Sequence, residues 1–144
     1  MKDLTERDLA YLAGLVDGEG SIFISRAGQY QSLQLTLTIS NTSKAMIDWL
    51  VDVCMFRRTS IYRSNKSTRD VYRAGLTQSE ARDMLEKLEP YLVAKREQAQ
   101  VVLKYFIMKG RIGRFTYTDE EEALRLLARE KLQELNGGRY ARNS

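Results

Sequence analysis

The sequence contains no histidine. That absence excludes imidazole acid–base catalysis, a Ser-His-Asp triad and any zinc site that needs imidazole. Cys54 is the one cysteine, so neither an intramolecular disulfide nor a thiolate zinc cluster is possible. Its place in an apolar helical pattern predicts a buried thiol. Long apolar runs are missing too: Val101–Leu103 and Tyr105–Met108 are far too short to span a bilayer. The opening "MKDLTERD" has no apolar signal core, so the expected setting is intracellular, without membrane or export signal. Any catalysis is left to carboxylates, lysine, amides and a hard metal ion.

What is present describes a globular chain. Its 144 residues are 43% apolar and 29% charged, enough for one domain with a real core. The expectation is a single domain over residues 1–138 and a frayed tail over 139–144. The net charge of +4 is unevenly spread. Arg57, Arg58, Arg63, Lys66, Arg69 and Arg73 crowd one stretch with only Asp70 against them, whereas Asp119–Glu134 is rich in acids. Segregation of this kind is the footprint of a nucleic-acid binder, and equally of a basic surface hairpin with no partner.

Periodicity orders the elements. Thr5-Glu6-Arg7-Asp8 forms a capping-box pattern ahead of a helix carrying Leu9, Leu12, Leu15 and Val16. On another stripe, Ala10, Ala13, Gly14 and Asp17 leave little side chain, so a second helix could approach closely. Leu33, Leu35, Leu37 and Ile39 alternate with Gln34, Thr36, Thr38 and Ser40, which predicts a half-buried strand. Ser21–Ala27 is its hairpin partner through Gly28. A second helix opens near Thr42 or Ser43 with Met46, Leu50, Val53 and Cys54 inward. Ile61–Ser64 and Asp70–Ala74 form a second hairpin around "NKST". Thr77-x-x-Glu80 reads as another capping box, for a helix with Ala81, Met84, Leu85 and Leu88 inward. Pro90 is placed to begin a fresh helix reaching Met108. A last amphipathic helix follows Thr118. The fold class expected is α+β: a four-stranded antiparallel sheet with one polar face, helices on the other, and extra C-terminal helices.

Against that order, "LAGLVDGEG" at Leu12–Gly20 resembles the signature of the LAGLIDADG homing endonucleases. Leu12, Ala13, Gly14, Leu15, Asp17 and Gly20 fall on the consensus letters; Val16, Gly18 and Glu19 are mild departures. The αββαββα order matches that family from about Leu9 to about Met108. One motif, not two, resembles the homodimeric branch.

The resemblance implies that Ala10, Ala13, Gly14 and Asp17 lie where the first helices of two subunits pack, with Asp17 closing its helix on local backbone groups. It implies that Glu19, with the Gly18 carbonyl, holds Mg²⁺ or another hard divalent cation. Asn41 falls where relatives carry glutamine, one methylene longer, and Lys95 on the family's basic position near the scissile phosphate. From the residues alone, Glu19 is equally a turn carboxylate and Lys95 a solvated lysine. The partner implied is double-stranded DNA, with no small-molecule substrate. Its readers would be Ser25, Ser32, Gln34, Thr36, Thr38 and Ser40 on the first hairpin and Arg63, Asn65, Asp70 and Tyr72 on the second. Arg26 joins them although alternation sends it toward the helices. Lys109, Arg111 and Arg114 suit phosphate contact.

The expected function is therefore site-specific double-strand DNA cleavage on a long pseudo-palindromic target. The rivals are a non-cleaving RNA-splicing maturase or DNA-binding regulator on the same scaffold, and a small structural or dimerisation domain. The acid at Glu19 and the base at Lys95 argue against the former, since a binder needs neither. Charge segregation and the polar sheet face argue against the latter.

Overall fold

The computed structural model describes residues 3–63, 69–110 and 116–137, without the side chains of Tyr62 and Arg63. The expected positions Asn65, Arg111 and Arg114, the side chain of Arg63, and the tail over 139–144 lie outside the described residues.

Helix α1 spans Glu6–Glu19 and starts as its sequence dictates. Asp8 N–H donates to Thr5 Oγ1 at 3.1 Å while Thr5 N–H donates to Asp8 Oδ2 at 3.0 Å, which closes the capping box. Strand β1, Gly20–Ala27, follows with no intervening loop. Gly20 makes that junction possible. A Cβ there would sit 2.8 Å from both Cα and the carbonyl oxygen of Val16, so no side chain fits. Strand β2 is Ser32–Asn41. Helix α2, Lys44–Asp52, is capped by Ser43, whose Oγ accepts from Met46 N–H at 3.2 Å. Strands β3 (Arg57–Arg63) and β4 (Asp70–Thr77), then helices α3 (Gln78–Leu88), α4 (Arg96–Tyr105) and α5 (Asp119–Leu135), complete the chain.

The sheet order is β1-β2-β4-β3, with every neighbouring pair antiparallel. Leu33, Leu35, Leu37 and Ile39 of β2 are buried, as are Ile22 and Ile24 of β1 and Ala74 and Leu76 of β4. Against them pack Leu12 and Val16 of α1, Ile47 and Leu50 of α2, Leu85 and Leu88 of α3, and Val102 of α4. Each fully buried Leu or Ile contributes roughly 1.5–3 kcal/mol of transfer free energy before chain entropy is set against it. The helices cover one face and leave the other open.

Four local expectations fail for identifiable reasons. Along α2 and just past its end the inward residues are Ile47, Leu50 and Cys54, not Met46 and Val53, which are only half-buried. The Thr77 cap does not form, because Gln78 takes φ +52° and Glu80 pairs instead with Arg57 at 2.8 Å. The Gln78 amide accepts from Leu35 N–H at 2.9 Å and donates to the Leu33 carbonyl at 3.3 Å, extending the ladder beyond the end of β4. Pro90 begins only a 3₁₀ turn, Glu89–Tyr91; the chain is extended at Leu92, and α4 starts at Arg96 and ends at Tyr105, short of Met108.

Helix α5 buries Arg125, Ala128 and Leu132. It also closes the open edge of β1, since Arg129 Nε donates to the Ile24 carbonyl at 3.2 Å and Asn136 Nδ2 to the Ile22 carbonyl at 2.9 Å. Among the described residues no helix is long and apolar enough to cross a membrane.

Candidate nucleic-acid interface and catalytic site

The end of α1 is tied to a distant part of the chain. Asp17 accepts from the backbone N–H of Val93 at 2.9 Å and of Lys95 at 3.0 Å, so its carboxylate is a long-range clamp and not the local helix stop expected of it. Lys95 is the N-cap residue of α4, and its Nζ donates to the Asp17 carbonyl at 2.9 Å. The ammonium thus sits at the negative end of the α1 dipole, on a carbonyl of its last turn.

Glu19, two residues on, is exposed. Asn41, the last residue of β2, donates from Nδ2 to Glu19 Oε2 and accepts from Ser43 N–H at 2.7 Å on Oδ1. Three residues from α1, β2 and the start of α4 are therefore gathered at one end of the first helix. Among the described residues no three of His, Cys, Asp and Glu cluster as a metal cage. Among the described residues of one chain, Glu19 is the single carboxylate lining this site's groove.

That groove has a volume of about 820 Å³ and is lined by Glu19, Ser40, Arg73, Lys95, Gln98 and Arg129, among others. It continues onto the open face of the sheet. The unbroken β1–β2 register sets Ser21, Phe23, Ser25 and Ala27 opposite Thr38, Thr36, Gln34 and Ser32. The expected set Ser25, Ser32, Gln34, Thr36, Thr38 and Ser40 accordingly shares one face. Arg26 is opposite Leu33 and so has the parity of the helix side; no bulge intervenes, and Arg26 Nη1 donates to the Gln31 carbonyl in the turn at 3.2 Å.

On β4 the expected face is displaced by one residue. Ser40 pairs with Arg73 and Ile39 with Ala74, so Arg73 and Gly75 lie on the open face. Tyr72 and Asp70 have the opposite parity, and Tyr72 packs against the core. Arg73 Nε donates to Ser40 Oγ at 2.9 Å. "DVYRAG" has no alternation to reveal this, and β3 carries a bulge between Arg58 and Ser60. Lys109 is already engaged: Nζ lies 2.8 Å from Glu121 Oε1 and donates to the Thr116 carbonyl at 2.7 Å. The lysine holds the Glu121 carboxyl below its ordinary range, the main cause being their direct hydrogen bond.

On α1, Ala13 is fully buried in its own chain. The small residues that remain exposed are Ala10, Gly14 and Gly18, at every fourth position, and a Cβ on either glycine would meet nothing within 4 Å. Phe23, Arg73, Gln98 and Arg129 were not anticipated in the groove. Phe23 and Arg73 follow from register alone; Gln98 stands three residues beyond Lys95, a spacing that gains meaning only once the groove shows both lining it.

No family model matches the chain. It is 36% identical over 101 residues to the DNA endonuclease I-CreI of Chlamydomonas reinhardtii, an alignment covering 67% of this chain. The chain belongs to the LAGLIDADG homing endonuclease family. The match covers 60% of the length of that relative. Solved structures of homing endonucleases share its fold. I-CvuI, complexed with the I-CreI target in the presence of Mg, superposes with a TM-score of 0.62 at 20% identity, covering 90% of this chain and 82% of that one. The archaeal intron-encoded I-Vdi141I, complexed with DNA, gives 0.61 at 12% identity over 90% and 84%. At these identities the likeness is one of fold, and it extends the LAGLIDADG resemblance past the αββαββα core into the C-terminal region.

Proposed function

We propose that the chain is a site-specific double-strand DNA endonuclease that acts as a homodimer with a divalent cation. The observation that carries this reading is the convergence of Glu19, Asn41 and Lys95 at the end of α1, on a groove continuous with the polar face of the sheet. Membership of the LAGLIDADG family and the DNA-bound relatives support it.

The donor set fits a hard cation. Glu19 offers carboxylate oxygens, the Gly18 carbonyl is beside it, and neither imidazole nor thiolate competes. A single carboxylate is half of a shared site, which the second copy completes by packing α1 on α1 along Ala10, Gly14 and Gly18. When bound, Mg²⁺ neutralises charge on the scissile phosphate and makes water more acidic. The chain's own groups do the rest. Asn41 orients the Glu19 carboxylate through its Nδ2–H, and Lys95 brings positive charge to the phosphate as negative charge builds there. Ser25, Gln34, Thr36 and Thr38 meet base edges in the major groove, and Arg73 adds a cation to that face.

The test is to incubate the protein with a randomised duplex library and Mg²⁺ and to sequence the ends produced, with Glu19→Gln in parallel. Sequence-specific ends that vanish with Glu19→Gln are expected. Ends that persist in the variant would overturn the role of Glu19. Tight binding to structured RNA with no duplex cut would favour a maturase.

A further inference from the structure

Resting on the nuclease reading above, we infer that Gln98 positions the attacking water, a task that Asn41 cannot perform because its amide is committed elsewhere. Asn41 spends both ends inside the protein, Nδ2 on Glu19 and Oδ1 on Ser43 N–H. It stands at the site as a carboxylate holder. Three carboxamides line the groove: Gln98 stands beside Lys95 on α4, whereas Gln133 lies on α5 and Asn136 just past its end.

Gln98 is 8% exposed, which is rare for a glutamine, and it lines the groove together with Glu19, Lys95 and Ser40. It occupies the first turn of α4, three residues after Lys95, so the two side chains share one helix face. Among the described residues none hydrogen-bonds its amide. The amide is not sealed from solvent, since among the described residues the buried side-chain polar atoms without a partner are Arg82 Nε and Arg125 Nε; it opens onto the groove and takes partners that come and go. Water and a phosphate oxygen are such partners. A carboxamide can accept a hydrogen bond from water on its oxygen and donate one to a phosphate oxygen from its nitrogen, fixing the angle between them. It is also uncharged across the working pH range, so it adds no negative charge beside Glu19.

The neighbours limit the alternatives. Lys95 only donates, and its Nζ is anchored on the Asp17 carbonyl. Arg73 Nε is on Ser40 Oγ and Arg129 Nε is on the Ile24 carbonyl. Neither supplies the acceptor that a nucleophilic water needs. Of the groove's other carboxamides, Asn136 is held on the Ile22 carbonyl and Gln133 stands on α5; Gln98, next to Lys95 on α4, is assigned as the positioning residue.

The experiment uses one duplex recovered from the library, with three proteins: wild type, Gln98→Leu and Asn41→Ala. Single-turnover cleavage is followed as a function of Mg²⁺ concentration, and affinity for the uncut duplex is measured by anisotropy in EDTA. Gln98→Leu is expected to lower the rate at saturating Mg²⁺ by about 100-fold, with affinity and melting temperature unchanged. Asn41→Ala is expected to raise the Mg²⁺ concentration needed for half-maximal rate, a shift that Gln98→Leu does not produce. Gln98→Glu, which keeps the acceptors and loses the donors, retains the fold if leucine is not tolerated and is expected to fall between wild type and leucine. A Gln98→Leu rate equal to wild type overturns the inference, and so does a loss of affinity as large as the loss of rate. A wild type that cuts no duplex overturns the nuclease reading itself, an outcome distinct from either.

Discussion

Asp17 and Lys95 hold each other twice across 78 positions of sequence: the Asp17 carboxylate accepts from Lys95 N–H, and Lys95 Nζ donates to the Asp17 carbonyl. The pair fastens the end of α1 to the start of α4, and Asp17 also takes Val93 N–H. Replacing Asp17 by Ala leaves two backbone donors without their carboxylate partner. The expected loss is about 2–3 kcal/mol of unfolding free energy, read as a lower urea midpoint at unchanged slope. Asp17→Asn keeps one acceptor oxygen and is expected to lose about half as much. Both variants keep the Asp17 carbonyl under Lys95 Nζ but weaken the hold on the Lys95 backbone, so cleavage is expected to fall further than stability accounts for, more in Ala than in Asn, at a temperature where each variant is fully folded.

The motif glycines separate by what surrounds them. Gly20→Ala drives a methyl into the Val16 backbone at 2.8 Å, where nothing flexible can yield. It is expected to cost about 1–3 kcal/mol and to lower the melting temperature. Gly14 has open space, so Gly14→Leu is expected to leave the folded chain intact and to strengthen α1 by roughly 0.5–1 kcal/mol. Its effect should appear instead in sedimentation, as a shift from dimer to monomer. A Gly14→Leu protein that still sediments as a dimer would place the two-fold contact elsewhere.

Much of this fold was legible in local pattern. The alternation from Leu33 to Ser40 fixed which face of β2 is buried, and the Thr5 capping box fixed where α1 begins. What escaped has a common physical cause: the deciding partner is far away in sequence. Asp17 reads as a helix stop until Val93 and Lys95 arrive. Thr77 reads as a cap until the Gln78 side chain is claimed by the unpaired end of β2. Tyr72 reads as a surface aromatic because "DVYRAG" carries no period, and only pairing with Asn41 and Ile61 shows its side. For the site, chemistry alone left Glu19 and Lys95 ambiguous, and family resemblance singled them out. Gln98 needed the groove.

The displaced face of β4 gives a direct comparison. Arg73→Ala removes a cation from the open face and is expected to weaken binding to the recovered duplex by about 1–3 kcal/mol if it reads a guanine. If it meets a phosphate instead, the slope of log affinity against log salt should fall by about 1 with all sequences affected alike. Tyr72→Ala is expected to lower stability and to leave the affinity of the folded fraction unchanged. Titrations by anisotropy at several salt concentrations, beside thermal melts, separate the two residues. Loss of affinity in Tyr72→Ala with no loss of stability would reverse the register.

Arg125 anchors α5 to the body of the chain. Its guanidinium lies 4.0 Å from the Tyr117 ring and 4.2 Å from the Phe106 ring, and Nη1 donates to the Ile107 carbonyl. Nε lies 3.5 Å from Glu122 Oε2 without hydrogen-bond geometry. Burial pulls its pKa down, yet arginine remains charged at any working pH. Truncation to Ala removes the planar group from both rings and leaves a cavity, so Arg125→Ala is expected to cost about 2–4 kcal/mol. Arg125→Lys should recover little of it, because an ammonium cannot stack flat between two rings. Since α5 covers the edge of β1 through Arg129 and Asn136, the loss should appear first in hydrogen exchange at α5 and β1.

Cys54 gives a pH test whose sign is fixed. Burial pushes its thiol up to about 12 from an ordinary value of 9.0, with the Asp8 charge adding to the shift. The folded chain therefore keeps the proton over a range in which the unfolded chain gives it up. The stabilisation is fully present below pH 9 and drains away as pH rises from 9 toward 12, at a slope approaching about 1.4 kcal/mol per pH unit. Lysines and tyrosines titrate there too, so the quantity to measure is the difference between wild type and Cys54→Ala. The alanine variant starts less stable through its lost packing, and the gap is expected to narrow steadily above pH 9. A gap that stays constant to pH 11 would mean that the thiol ionises as easily in the folded chain as in the unfolded one.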